Sequence, residues 1–220
     1  MRLKMTTFFL LLLLSAGVSL AQGWINYIDR AERFIVNFPG EPEIQDTSYV
    51  SQFNATFPAR VYTVEQGSSR YSVTVINYTE AERAHREVCE QPGHAGECDG
   101  NEAGTDFRGS IAWEAWNIRK RGGEITYDAF AQVDRIPGHH LQITNTDQSR
   151  TFVGLYLEGR RLYVLEATVP GEAPPPIHFQ QSLGIFDAEG KRVFYSWDFN
   201  NNKTRVEADF EWIGGDDSDH

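Results

Sequence analysis

His85, Cys89, His94 and Cys98 are the residues whose types and spacing most invite chemistry. Cys89 and Cys98 are the only cysteines of the chain. They flank eight residues, and in an oxidising compartment such a pair forms a disulfide. The same segment reads His-x3-Cys-x4-His-x3-Cys. Two thiolates and two imidazoles can hold zinc tetrahedrally, with His85 and Cys89 one helical turn apart, so a metal site is the alternative to the disulfide. Oxidation favours the disulfide, and no cofactor is expected. His139 and His140 are adjacent, and neighbours in a strand point to opposite faces, so they do not chelate one ion. His178 has no sequence partner. The chain holds no Gly-x-Ser-x-Gly, no His-Glu-x-x-His, no phosphate-cradling glycine loop and no dinucleotide fingerprint. A catalytic triad assembled from distant residues leaves no such trace, so the absence lowers the enzyme reading without closing it. Trp113 and Trp116 lie three residues apart and share one helix face, either packed on a core or presented to a partner.

These groups need a scaffold and a compartment. The chain opens with Arg2 and Lys4, continues through an apolar run from Phe8 to Leu14, and reaches Ser19-Leu20-Ala21. A positive start, a short apolar middle and a small-x-small exit predict a signal peptide over residues 1–21 and a periplasmic or secreted product. The apolar run is shorter than the roughly 20 residues of a membrane span, and no second long run follows. The formal net charge is −11, or −13 once Arg2 and Lys4 are removed, which excludes nonspecific nucleic-acid binding and disfavours anionic membranes. Arg119-Lys120-Arg121 is a local basic run, read as a solvated helix end.

The region 22–213 reads as a single domain, with an acidic, disordered tail over 214–220. Phe34, Val36 and Phe38 alternate with Ile35 and Asn37 before Pro39-Gly40, predicting a strand and turn. Further strands are predicted at 60–64, 71–78, 125–133, 141–145, 151–157 and 162–168, with turns at Gly67-Ser68-Ser69 and Glu158-Gly159. Pro137-Gly138 is read as lying ahead of the strand that begins at His139-His140. Helices are predicted at 80–88, capped by Thr79 with Glu82 at the capping-box position, at 110–120, and at 177–183 after Pro174-Pro175-Pro176. Residues 91–105 read as a loop. A terminal hairpin is predicted from 193–199 and 205–212, with Glu207, Asp209 and Glu211 on a solvated face. Hairpin connections and few helices give an α+β class rather than a parallel doubly wound sheet.

Phe34-Ile35-Val36-Asn37-Phe38-Pro39-Gly40-Glu41-Pro42, together with the order of elements over roughly residues 24–195, resembles exported bacterial proteins of the PsbP-like and Mog1-like fold group. The resemblance implies an α/β/α sandwich, a central antiparallel sheet flanked by a few helices. It also implies a module that binds or assists other exported proteins without a shared active site. The cysteine-bearing loop and the hairpin after Tyr195 depart from that outline. The expected role is a noncatalytic exported binding or assembly module, with Trp113 and Trp116 as candidate partner contacts. A small-ligand carrier with a pocket between sheet and helices is the alternative, and an enzyme of unrecognised class the third.

Overall fold

The computed structural model describes residues 23–92, 100–200 and 202–206. The expected signal peptide and acidic tail, and His94 and Cys98, lie outside them.

Strands β1 (Ile25–Asp29) and β2 (Phe34–Phe38) form a first hairpin. Next come β3 (Glu43–Val50), β4 (Thr56–Gln66) and β5 (Ser69–Asn77), then helices α1 (Ala81–Cys89) and α2 (Glu102–Arg119). The chain continues through β6 (Glu124–Val133), β7 (Ile136–Thr144), β8 (Arg150–Glu158) and β9 (Arg161–Val169). It closes with α3 (Ile177–Gln180), β10 (Gly184–Ile185), β11 (Tyr195–Trp197) and β12 (Lys203–Arg205). A seven-stranded antiparallel sheet runs β3-β4-β5-β9-β8-β7-β6, beside a three-stranded sheet β1-β2-β10 and the β11-β12 hairpin. The α+β class expected from the sequence is therefore the architecture observed.

Alternation sorts the side chains of the large sheet into two cores. On one face Tyr62, Val73, Val75, Tyr163 and Leu165 meet Phe34, Val36 and Phe38 of β2, with Phe179 of α3 and Ile185 of β10. On the other, Phe57, Ile76, Leu141, Val153, Leu155 and Val164 lie beneath Ala81 and Ala84 of α1 and Ala115 and Ile118 of α2. The opposite facing of Val73 and Ile76 follows from the two-residue strand period. One outer layer is thus a helix pair, and the other is a small sheet with one short helix. A polar clamp holds the small sheet down: Arg161 reaches Glu32 at 2.9 Å, the Tyr163 hydroxyl donates to the Glu32 carbonyl, and the Tyr62 hydroxyl donates to Asp29 at 2.6 Å.

Several boundaries differ from expectation. α2 begins at Glu102, inside the stretch read as a loop. Thr79 does not cap α1. Glu80 precedes the helix with no side-chain cap, and the Thr79 amide instead donates to Asn77 Oδ1. The β6–β7 turn is Asp134-Arg135, both left-handed, so Pro137 and Gly138 fall within β7 rather than ahead of it. Pro137 costs no β7–β8 ladder bond, because that pairing starts at Gly138. Glycine is required there, since a Cβ would stand 2.4 Å from the Leu155 carbonyl and the Tyr156 ring. The terminal hairpin pairs 195–197 with 203–205, and Asp198 accepts the Asn200 and Asn202 amides across its turn. Residues 207–212 of its predicted second strand lie outside the described residues.

Candidate binding surfaces on the two flanks of α2

α2 lies on the sheet through Phe107, Ile111, Ala115 and Ile118. Spacings of three and four place these on one stripe, which fixes what the flanks present. On the side of α2 turned away from the apolar stripe, Trp113 and Trp116 stack at 4.7 Å between ring centres. Lys120 sits over the Trp116 ring at 3.5 Å. Trp116 is 44% exposed, while Trp113 is half-buried and its indole N–H is enclosed without an acceptor. The pair is thus neither core nor fully free. It is an aromatic ledge.

Among the described residues β6 is an end strand of the large sheet, and Arg119 of α2 reaches it at Asp128. Its Phe130 is 69% exposed and pairs in register with His139, so both point to the helix face. Asp128 on that face is gripped by Arg119 through two bonds of 2.8 Å, and His139 Nε2 lies 2.6 Å from Oδ1, the oxygen that also accepts from Arg119 Nη2. The Arg119 guanidinium, with help from His139, holds the Asp128 carboxyl below the usual carboxylate range. Arg119 and Lys120 are therefore both engaged within the molecule.

On the opposite flank α2 leaves a cleft of about 200 Å³ over β3, β4, β5 and β9. Tyr49, Val61, Arg70, Ser72, Thr74, Glu114, Arg121 and Glu166 are among its lining residues. Arg121 bonds Glu166 at 2.6 Å and stands 3.7 Å from Glu114. Glu114 is only 8% exposed, and burial pushes its carboxyl up. A second cleft of about 270 Å³ shares Arg121 and Glu166 and ends at Gly123 and Asn145. Both clefts mix charged and apolar lining, with Val61, Ile76 and Val164 in the first and Ile118 and Ile143 in the second.

The remaining chemical candidates separate. His85 lies in the core between Phe53 and Phe57, its Nε2 3.0 Å from Asp106, which is wholly buried. Burial pushes the Asp106 carboxyl up, and Ser51 and His85 pull it back. Serine thus lies on the aspartate side, without the serine–histidine link a triad uses. Because the Asp106 bond occupies His85 Nε2, zinc would have to compete for that nitrogen. Cys89 is the last residue of α1, with its expected partner outside the described residues. His140 bonds the Tyr156 hydroxyl at 2.6 Å, on the face opposite His139, as adjacent strand residues must. His178 packs its ring near Trp24 at the surface.

Sequence reasoning missed Glu114, Asp106 and Phe130. Glu114 was findable: it stands three residues after Ile111 and four before Ile118, on the apolar stripe itself. Phe130 was not, since alternation alone does not tell an edge strand from an inner one.

No family model matches the chain, and no curated protein matches it. Among solved structures the chain is similar to the solution structure of cyanobacterial PsbP (CyanoP) from Synechocystis sp. PCC 6803, at 11% identity over 77% of this chain and 96% of that one, with a TM-score of 0.43.

Proposed function

We propose that this chain is exported under the direction of its first 21 residues and acts without catalysis, by binding another exported protein. The contact is the aromatic ledge of α2 together with the edge of β6 that no described strand covers, and the partner supplies an extended segment that adds to β6 as an eighth strand. The observation that carries this reading is the state of the edge. Natural edge strands are blunted by charge, proline or brevity. β6 is ten residues long, has no proline or glycine, and its one charge after Glu124 is Asp128, already neutralised by Arg119. Its one blunting device is a bulge near Ile125 and Tyr127. The other edge, β3, carries Glu43 and Asp46. An aromatic edge with so little protection, 69% exposed at Phe130, suits a surface that is covered in use.

The test places a photoreactive phenylalanine at Phe130, and separately at Ile44 on the β3 edge, in chains expressed in the native host. The expected result is one discrete polypeptide adduct at position 130, absent at 44 and diminished by Trp116→Ala. Equal labelling at both positions, or none at 130, overturns the reading.

A further inference from the structure

The cleft on the other flank of α2 brings two carboxylates to one guanidinium. Arg121 makes its short bond to Glu166, at 2.6 Å, and stays 3.7 Å from Glu114, beyond hydrogen-bond reach. Glu114 is nonetheless buried, 8% exposed. A buried carboxylate is costly unless it is paired and hydrogen-bonded. Tyr49, Asn117 and Arg121 favour its charged form, whereas burial and the neighbouring Glu166 oppose it. Beside it the Tyr49 hydroxyl is also buried and makes no well-formed hydrogen bond. On the floor, the Ser72 hydroxyl makes only a long contact of 3.5 Å to the Glu166 carbonyl. Arg70 stands at the far rim, its guanidinium 3.3 Å from the Thr63 hydroxyl.

Arg121 is shared between the two carboxylates and gives its short bond to Glu166, so Glu114 keeps only a long ion pair. A primary ammonium brings one charge and three N–H donors, and it is compact enough to reach a carboxylate recessed behind a helix. An anion would meet Glu114 and Glu166. A hard divalent cation requires six or more oxygens, and no group of three His, Cys, Asp or Glu side chains suited to a metal occurs among the described residues. We propose that the cleft binds a small organic cation bearing a primary ammonium, with Glu114 as its counter-ion and the Tyr49 and Ser72 hydroxyl oxygens as further acceptors. The cleft of about 200 Å³ admits a short alkyl chain, which Val61, Ile76 and Val164 would line. This site lies on the flank of α2 away from β6, so it stands or falls independently of the partner surface.

The experiment is calorimetric titration of the full mature chain at pH 7.5 and fixed ionic strength with n-pentylammonium, 1-pentanol and pentanoate. Amide chemical-shift mapping accompanies it. Pentylammonium is expected to bind saturably, with a dissociation constant on the order of millimolar. Shifts should centre on Tyr49, Ser72 and Thr74, and pentanol and pentanoate should bind about ten-fold or more weakly. Glu114→Gln should weaken pentylammonium by a similar factor, and Tyr49→Phe by less. Pentanoate binding as well as the amine would assign the cleft to anions through Arg70 and Arg121 and overturn the proposal. So would unchanged binding by Glu114→Gln, or the lack of saturable binding by the wild-type chain. The shift map on wild-type protein decides the matter even where a variant fails to fold.

Discussion

Glu114 and Asp128 sit on opposite flanks of one helix and titrate in opposite senses. Burial raises Glu114, so the folded chain binds that proton more tightly than the unfolded chain does. Its contribution to stability is complete below the ordinary carboxylate pKa and is lost as pH rises through the folded value. Glu114→Gln should therefore raise the melting temperature relative to wild type at pH 8, with the gain shrinking toward zero at pH 4. Thermal melts across that range check it. Asp128 is lowered, chiefly by Arg119, so its contribution is present above the unfolded pKa and is lost as pH falls through the folded one. Both partners are about a third exposed, so Asp128→Asn should cost up to about 1 kcal/mol at pH 7. That cost should vanish in acid below the carboxylate range, as read by denaturant titration.

At the level of elements, packing and exposure make separable demands. Ile118 of α2 is fully buried against the sheet, and Ile118→Ala should cost about 2–5 kcal/mol. Phe130→Lys, on a side chain 69% exposed, should leave the melting temperature almost unchanged while diminishing the adduct formed by a photoreactive residue placed instead at the exposed Gln132 of β6. What the sequence revealed follows the same division. β2, β5, β8 and β9 are buried on at least one face, and their alternating or continuous apolar runs were legible. β3 was invisible because it is exposed almost throughout and its Glu43-Ile44-Gln45-Asp46-Thr47-Ser48 run carries a single apolar residue. The start of α2 was hidden by Gly104, Thr105 and Asp106, poor helix formers that tertiary packing carries into the helix. The Thr79-x-x-Glu82 signature failed because the Asn77 side chain took the Thr79 amide first. Of the proposed partner surface, Trp113 and Trp116 were legible from their spacing. The edge position of β6 depends on strand order, which no local pattern encodes.

For the molecule as a whole, the expected leader and cysteine pair make testable demands. Replacing the leader's apolar core with charged residues should retain the chain in the cytosol, as fractionation would show. Cys89 closes α1, and if Cys98 bonds to it, removing both thiols should cost about 2.5 to 3 kcal/mol under oxidising conditions and nothing under reducing ones. The strand order carries a kinetic meaning as well. Strands β3 to β5 and β6 to β9 are two meanders of sequence neighbours, and they join where Arg70 pairs with Thr168 and Asn77 with Arg161. Hairpins close in roughly microseconds, whereas a seam between distant segments must first overcome the entropy of a long loop. Folding should accordingly run at two tempos, with the β5–β9 seam as the slow beat. In stopped-flow measurements, trimming Val73 or Leu165 at that seam should slow refolding, while loosening the Asp134-Arg135 turn should chiefly hasten unfolding.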